Sequence, residues 1–168
     1  MNTKHLLRAA EPRDLPAIVG LIGELAEFER LTHLLKVTAE TLHPHLFGPK
    51  PVVEAVVGEV HGEVVAFALF FTNFSTFLAR PGLYLEDLFV NPEARGRGAG
   101  LALMSALARI CVERDYGRFE WSVLDWNTPS LEFYRSLGAR PLGDWTVHRV
   151  VGEPLAALAR RWPGELTR

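Results

Sequence analysis

Arg95-Gly96-Arg97-Gly98-Ala99-Gly100 is the stretch that decides the fold, because it separates a strand-like run, Leu83 to Val90, from a helical run. The helical run carries its apolar face on Leu101, Met104, Leu107, Ala108 and Cys111. Three glycines in five residues allow positive φ angles and a close approach of the backbone to a ligand. A helix start adds unsatisfied N–H groups and the positive end of a dipole. The junction therefore predicts a phosphate or pyrophosphate site.

Three phosphate-binding patterns compete for this turn. A Walker A loop needs Lys and then Ser or Thr after its last glycine, where this chain has Leu101-Ala102. A dinucleotide fingerprint needs a third glycine at position 101 and a parallel strand–helix–strand unit around it. The remaining pattern is Arg-x-x-Gly-x-Gly, formed by Arg95, Gly98 and Gly100. The alternative is a glycine-rich turn that holds no ligand.

The rest of the chain predicts a mixed α/β domain on a largely antiparallel sheet. Hydrophobic periodicity and turn residues predict, in order, a strand at Leu6–Ala10, helices at 14–30 and 38–47, strands at 52–60 and 64–71, a loop at 74–81, and the strand at 83–90. After the glycine-rich turn and its helix come a strand near Phe119–Val123, a helix capped by Thr128, a last strand at 145–151, and a short helix that ends before Pro163. No repeat or linker divides residues 1–168, so we expect a single domain.

Composition excludes several functional classes. A net charge of -2 over 168 residues provides no electrostatic footprint for nucleic acid, and no basic run suits a membrane surface. No stretch has the ~18 apolar residues of a membrane span, and the N-terminus has no signal-peptide core. The single Cys111, expected in the core, fits a reducing compartment. These features predict a soluble cytoplasmic protein, and His43-Pro44-His45 lacks the further ligands of a metal site.

Three further segments, together with the Arg-x-x-Gly-x-Gly turn, resemble one known family. They are Glu24-Leu25-Ala26-Glu27-Phe28-Glu29, Tyr84-Leu85-Glu86-Asp87-Leu88-Phe89-Val90 and Trp126-Asn127-Thr128-Pro129-Ser130-Leu131-Glu132-Phe133-Tyr134. Their order, from about residue 6 to Val151, is similar to that of GNAT acetyltransferases, in particular the diamine (spermidine/spermine) N-acetyltransferases. The resemblance implies a GNAT-type sheet flanked by helices, acetyl-CoA as cosubstrate without a metal, and a homodimer. It also implies direct acetyl transfer to a primary amine of a diamine, a polyamine or an amino-acid-like molecule.

The resemblance assigns two catalytic residues. An aliphatic amine has a pKa of ~10.4, so only about one molecule in 10³ is unprotonated at neutral pH and a group must remove a proton. Glu86 is implied to contact the amine or to relay this proton through water, and strand alternation lets only one of Glu86 and Asp87 enter the site. Tyr134, one helical turn beyond Ser130, is implied to protonate the departing thiolate, since a phenol keeps its proton at neutral pH. The alternatives are a solvent-facing Glu86 and a core Tyr134.

The binding residues are also implied by the resemblance. Backbone contacts to coenzyme A are expected from Leu88, Phe89 and Val90, and pyrophosphate contacts from Gly96, Arg97, Gly98, Ala99, Gly100 and Leu101. Charge is expected from Arg95 and Arg97, and contacts to the pantetheine or adenine from Asn127, Ser130 and Tyr134. The acceptor wall is expected to comprise Phe28, Glu29, Glu86, Asp87 and Trp145.

One segment departs from the polyamine enzymes. The predicted loop Phe74–Arg80 lacks the acidic residue they carry there and has Arg80 instead. A long polycation needs several spaced carboxylates, so a shorter or amino-acid-like amine is an equal alternative. An acceptor on a protein N-terminus or lysine, and a non-catalytic acyl-CoA-binding module, remain as alternatives.

Overall fold

The computed structural model describes residues 6–162 and 164, and the chain falls into two compact units, Met1–Ser122 and Val123–Arg168. In the first unit the strands are β1 (Leu6–Ala9), β2 (Glu54–Val60), β3 (Glu63–Ser75), β4 (Arg80–Val90) and β5 (Phe119–Trp121). Its helices are α1 (Leu15–Phe28), α2 (Ala39–Phe47) and α3 (Ala99–Glu113). The second unit contains α4 (Thr128–Ser136) and α5 (Gly152–Ala159). The predicted mixed α/β class is confirmed.

The sheet follows chain order, β1-β2-β3-β4-β5. The first three pairings are antiparallel, and β4 pairs with β5 in parallel. A parallel neighbour cannot be reached by a tight turn, and α3 supplies the required crossover between β4 and β5. The coenzyme-type turn predicted at residues 95–100 therefore stands where the sheet changes from antiparallel to parallel pairing.

Both faces of the central strands are covered. On one face α1 and α2 pack through Ile18, Leu21 and Leu46 against Val57 and Phe67. The alternate residues Val56, Ala66, Ala68 and Phe70 point to the opposite face and are also buried. That face is covered by α3, whose buried side chains are Ala99, Leu103, Met104, Leu107 and Cys111. The prediction that Cys111 is a core residue is confirmed, whereas Leu101 and Ala108 turn out to be exposed.

The predicted loop at residues 74–81 is wrong. The hairpin strands continue through this segment, with pairs Asn73↔Gly82, Phe74↔Pro81 and Ser75↔Arg80, so that only residues 76–79 form the turn. Gly82, which suggested a loop, is a strand residue with a steric function. A Cβ there would lie 2.6 Å from Asn73 Oδ1 and 2.7 Å from Arg118 Cγ. Pro81 is accommodated at the second position of β4, near the strand end, where the loss of one donor is tolerated.

The second unit differs from the prediction at two points. Asn127, not Thr128, is the N-cap of α4, because its side-chain oxygen accepts the N–H of Ser130 at 3.3 Å. The predicted last strand at 145–151 is wrong: these residues form no strand and are exposed in the described structure. Apolar alternation alone does not stabilise a strand that lacks a backbone partner.

Candidate active site

The edge of β4 that faces β5 is free over its last five residues. Pairing with β5 covers Leu83 to Leu85, ending at Leu85↔Trp121, while pairing with β3 continues to Val90↔Ala66. Among the described residues, no strand pairs with Glu86 to Val90 on the β5 side. A strand edge with free N–H and C=O groups can bind an extended ligand as if it were another strand. The predicted contact residues Leu88, Phe89 and Val90 lie on this edge.

A β-bulge lies at the start of this free edge. The register between β3 and β4 passes from Leu85↔Phe70 directly to Asp87↔Leu69, which leaves Glu86 as the extra, unpaired residue. A bulge breaks the simple alternation of side chains and re-aims the residues around it. The alternation that separated Glu86 from Asp87 in the prediction therefore does not apply here. Glu86 is exposed and Asp87 is half-buried.

Three carboxyl groups gather beside the bulge. Burial raises the pKa of Asp87 from 3.8 to about 6, and the nearby charges of Glu86 and Glu29 add to the rise. Burial also raises the pKa of Glu29. The structure thus brings together Glu29, Glu86 and Asp87, all predicted for the acceptor side. Like charges held this close favour a cationic guest.

The end of α1 fixes the position of Phe28 and Glu29. The N–H of Leu31 donates to the carbonyl of Ala26 at 2.8 Å, and the N–H of Arg30 donates to the carbonyl of Glu27 at 3.1 Å. This is a Schellman ending, and Arg30 takes its left-handed position with a φ of 60°. A non-glycine residue here is strained, so the ending is held by the structure around it. Phe28 is 41% exposed and Glu29 is half-buried.

The glycine-rich turn has the geometry of an anion site. Gly96 and Gly98 have φ values of 74° and 84°, which L side chains rarely adopt. Gly98 is the N-cap of α3 and supplies no side chain to its N–H groups, and the first helical bond runs from Ala102 to Gly98 at 2.9 Å. The N–H groups of Ala99, Gly100 and Leu101 precede that bond and point out of the helix start. A pyrophosphate is a suitable partner for them.

Arg95 contacts groups of the protein itself. Its Nε donates to the carbonyl of Val90 at 2.9 Å. Its guanidinium carbon lies over the rings of Phe28 and Phe89, 5.5 and 5.3 Å from their centroids. The sequence prediction treated Arg95 only as a charge for the coenzyme. Its contact with α1 was missed, since residues 28 and 95 are 67 positions apart.

The second unit carries the remaining predicted residues. Tyr134 and Ser130 lie one turn apart on α4, as predicted, and the Tyr134 ring packs against Phe133 with centroids 5.4 Å apart. Asn127 is 7% exposed and its oxygen caps α4. Trp145 lies in the irregular segment and is 75% exposed.

Arg80 does not lie beside the acid cluster within one chain. It begins β4 and pairs with Asp115 at 3.1 Å, and it lies six positions before Glu86 along the extended strand. At about 3.3 Å per residue this is roughly 20 Å. Within one chain the positive charge of Arg80 therefore lies away from the acid cluster.

Metal-binding clusters and membrane-spanning helices are both absent from the described residues. Residues 6–162 and 164 contain no group of three or more His, Cys, Asp or Glu side chains arranged to hold a metal ion. None of the described helices is both long and apolar enough to span a bilayer.

Comparison with known proteins identifies the class of this fold and site. A family model for the acetyltransferase (GNAT) family matches residues 22–139. A thialysine N-epsilon-acetyltransferase of Mus musculus is 35% identical, over 92% of this chain and 97% of its own length. An L-ornithine N5-acetyltransferase of Arabidopsis thaliana is 32% identical, over 90% of this chain and 86% of its own. Among solved structures, an integron cassette protein from the mobile metagenome of V. cholerae has a TM-score of 0.78 and 26% identity, over 95% of this chain and 99% of that one.

These matches, with the free β4 edge and the glycine-capped helix, define an acyltransferase that takes its acyl group from coenzyme A. The chain belongs to the GNAT acetyltransferase family, and it is an acetyl-CoA-dependent N-acetyltransferase. The resemblance drawn from the sequence motifs is thereby confirmed.

Proposed function

We propose that the chain transfers the acetyl group of acetyl-CoA to a primary amine of a small cationic molecule, a diamine, a polyamine or an amino-acid-like amine. The observation that carries this proposal is the cluster of Glu29, Glu86 and Asp87 beside the free edge of β4. Names of the relatives support it, because thialysine and ornithine both carry a side-chain amine. The cluster holds three carboxylates for one or two ammonium groups.

Coenzyme A is proposed to lie along the free edge of β4. Its pantetheine arm would pair with backbone groups of Leu88, Phe89 and Val90, as a further strand would. Its pyrophosphate would accept hydrogen bonds from the backbone N–H groups of the glycine turn, from Gly96 to Leu101. The side chain of Arg97 would add positive charge, and Asn127 and Ser130 would border the pantetheine or adenine.

Proton removal is proposed for the acid cluster. A pKa of about 6 leaves Asp87 mostly ionised at pH 7.5, and near enough to neutrality to accept a proton. Glu86, exposed at the bulge, is suited to relay the proton of the ammonium through water. Glu29 and Phe28 would hold the alkyl ammonium from the end of α1, with Trp145 as a further wall.

The transfer itself is proposed as one direct displacement. The unprotonated amine nitrogen attacks the thioester carbonyl carbon, an N–C bond forms, and the C–S bond breaks. The nitrogen loses its proton to the acid cluster, and the sulfur leaves as a thiolate. Tyr134 donates its phenolic proton to that sulfur, which gives free coenzyme A, and recovers a proton from water. No metal takes part in this scheme.

We also propose that both units act as one acetyltransferase domain in a cytoplasmic homodimer. The family match supports the single domain, because it runs from residue 22 to 139 and crosses the boundary between the units at Ser122. Exposed apolar side chains of the C-terminal unit support an association between copies; they include Leu142, Trp145, Val147, Val150, Leu155 and Leu158.

Thiol release tests the function. The purified protein is mixed with acetyl-CoA and thialysine, L-ornithine, putrescine, spermidine or a lysine peptide, and free thiol is followed. We expect release above background with at least one small amine, and about 10²-fold less with Tyr134→Phe. Arg109→Gln, an exposed charge change on α3, is the control and should match wild type. Acetylation of the peptide alone would refute the small-molecule acceptor.

A further inference from the structure

Two side-chain contacts fasten α1 to the segment that precedes the glycine turn. Asn91 Nδ2 donates to the carboxylate of Glu24, at 3.1 Å from Oε2. Four residues further along both segments, the guanidinium of Arg95 lies over the ring of Phe28. Residues 24 and 28 are one helical turn apart, so they share a face of α1. The two contacts therefore act on the same face, and the second lies next to Glu29.

Arg95 also holds the end of β4. It donates from Nε to the carbonyl of Val90 and lies over the buried ring of Phe89, which is 4% exposed. One planar side chain, at the start of the glycine turn, thus contacts the end of β4 and the last residue of α1. Only a guanidinium has both the donor geometry and the flat face for these contacts.

We propose that Arg95 is a positioning residue that couples the coenzyme site to the acceptor site through Phe28. When coenzyme A orders the glycine turn, Arg95 is held in place, and the end of α1 with Phe28 and Glu29 is ordered with it. The inference rests on the proposed function where it assigns Glu29 to the acceptor site. The contacts of Arg95 with Phe28, Phe89 and Val90 are contacts within the protein.

Calorimetric titration with coenzyme A, without any amine, tests the coupling. Phe28→Leu should weaken coenzyme A binding about two- to fivefold, the equivalent of one exposed cation–π contact. Arg95→Gln keeps an N–H donor and should weaken binding about tenfold. The double variant should then match Arg95→Gln within about twofold, because the Phe28 contact is already lost. Phe28 is 41% exposed, so its replacement should fold.

A direct phosphate contact by Arg95 predicts different results. It would leave Phe28→Leu with wild-type affinity and would allow Arg95→Lys to recover most of the binding, because Lys keeps the charge. If Arg95 acts by positioning, the affinity of Arg95→Lys for coenzyme A should stay close to that of Arg95→Gln. Arg109→Gln, an equal loss of charge on α3, is the control and should bind coenzyme A as wild type does. Wild-type affinity in Phe28→Leu would overturn the proposal.

Hydrogen exchange supplies a second test that needs no acceptor. Coenzyme A should slow exchange in a peptide covering residues 24–31 of the wild type, by about threefold, and not in Arg95→Gln. Equal protection in both proteins, or none in the wild type, would overturn the coupling. Failure of the proposed function has a different signature, which is normal coenzyme A binding without turnover of any amine.

Discussion

Asp87→Asn removes a carboxylate whose ionised form is disfavoured in the folded protein. Burial and the charges of Glu86 and Glu29 raise the pKa of Asp87 from 3.8 to about 6 in the folded protein. The unfolded chain keeps the ordinary value, so the folded state resists ionisation of this group. At low pH both states hold the proton and the group costs nothing. As pH rises from about 4 to 6, only the unfolded state ionises readily, and wild-type stability falls.

The magnitude follows from the same pKa. At about 1.4 kcal/mol for each pH unit, the rise corresponds to a cost of about 3 kcal/mol above pH 7. Water reaches part of this half-buried side chain, and Asn must itself be partly desolvated. We therefore expect Asp87→Asn to raise the free energy of unfolding by about 1 to 2 kcal/mol at pH 7.5, and to leave it unchanged near pH 3.5.

Urea denaturation at pH 3.5, 5, 6 and 7.5 measures this difference. Asp144→Asn, an exposed Asp in the irregular segment, is the matched control and should give a difference that is small at every pH. The stabilised Asp87→Asn protein should be a poorer enzyme, with a higher KM for the amine. A difference that does not grow between pH 4 and 6, or a less stable variant at pH 7.5, would refute the physical account of the cluster.

Three other perturbations have defined outcomes. The wild-type kcat/KM should fall as pH drops through about 6, because protonation of Asp87 removes the charge that binds the ammonium; a profile flat from pH 7.5 to 5 would contradict this. Gly98→Ala should weaken coenzyme A binding and lower the free energy of unfolding by about 1 kcal/mol, because Gly98 has a φ of 84°. Calorimetric titration measures the binding, and urea denaturation measures the stability. Gly48→Ala should destabilise by more than about 1 kcal/mol, because its Cβ would lie 2.4 Å from the carbonyl oxygen of Pro44, and an unchanged urea midpoint would argue against this geometry. Gly62→Ala is its contrast: nothing lies within 4 Å of a Cβ there, so only its φ of 86° matters.

Local chemistry predicted much of the first unit. Periodicity located α1 and α2, β-branched runs located β2 and β3, and the glycine turn placed α3 behind β4. The secondary-structure prediction was wrong where a residue typical of turns lies inside a strand. Pro81 and Gly82 suggested a loop, whereas the pairing of Asn73 with Gly82 continues the hairpin. From the sequence alone, a glycine required by close neighbours inside a strand looks the same as a glycine in a turn. The position of the neighbouring strand is needed to distinguish the two.

The acid cluster joins three residues that the sequence analysis proposed for the acceptor side, and their roles there stay predictions. Glu29, Glu86 and Asp87 were all selected, but the bulge at Glu86 has no local signal, since it depends on the register with β3. The raised pKa of Asp87 likewise depends on burial that no motif reports. The contact of Arg95 with Phe28 joins two segments far apart in sequence, and such contacts require the three-dimensional structure.

The single parallel pairing of the sheet has a consequence for the order of assembly. The hairpins β2–β3 and β3–β4 close over short turns, whereas β5 reaches β4 only after α3 has formed and returned the chain. Closure over a longer segment costs more entropy, so we expect the β4–β5 pairing to form late. The free edge of β4 begins where this pairing ends, after Leu85↔Trp121. Coenzyme A, which we propose to bind along this edge of the folded chain, should therefore stabilise the folded state and rescue variants weakened in α3 or β5.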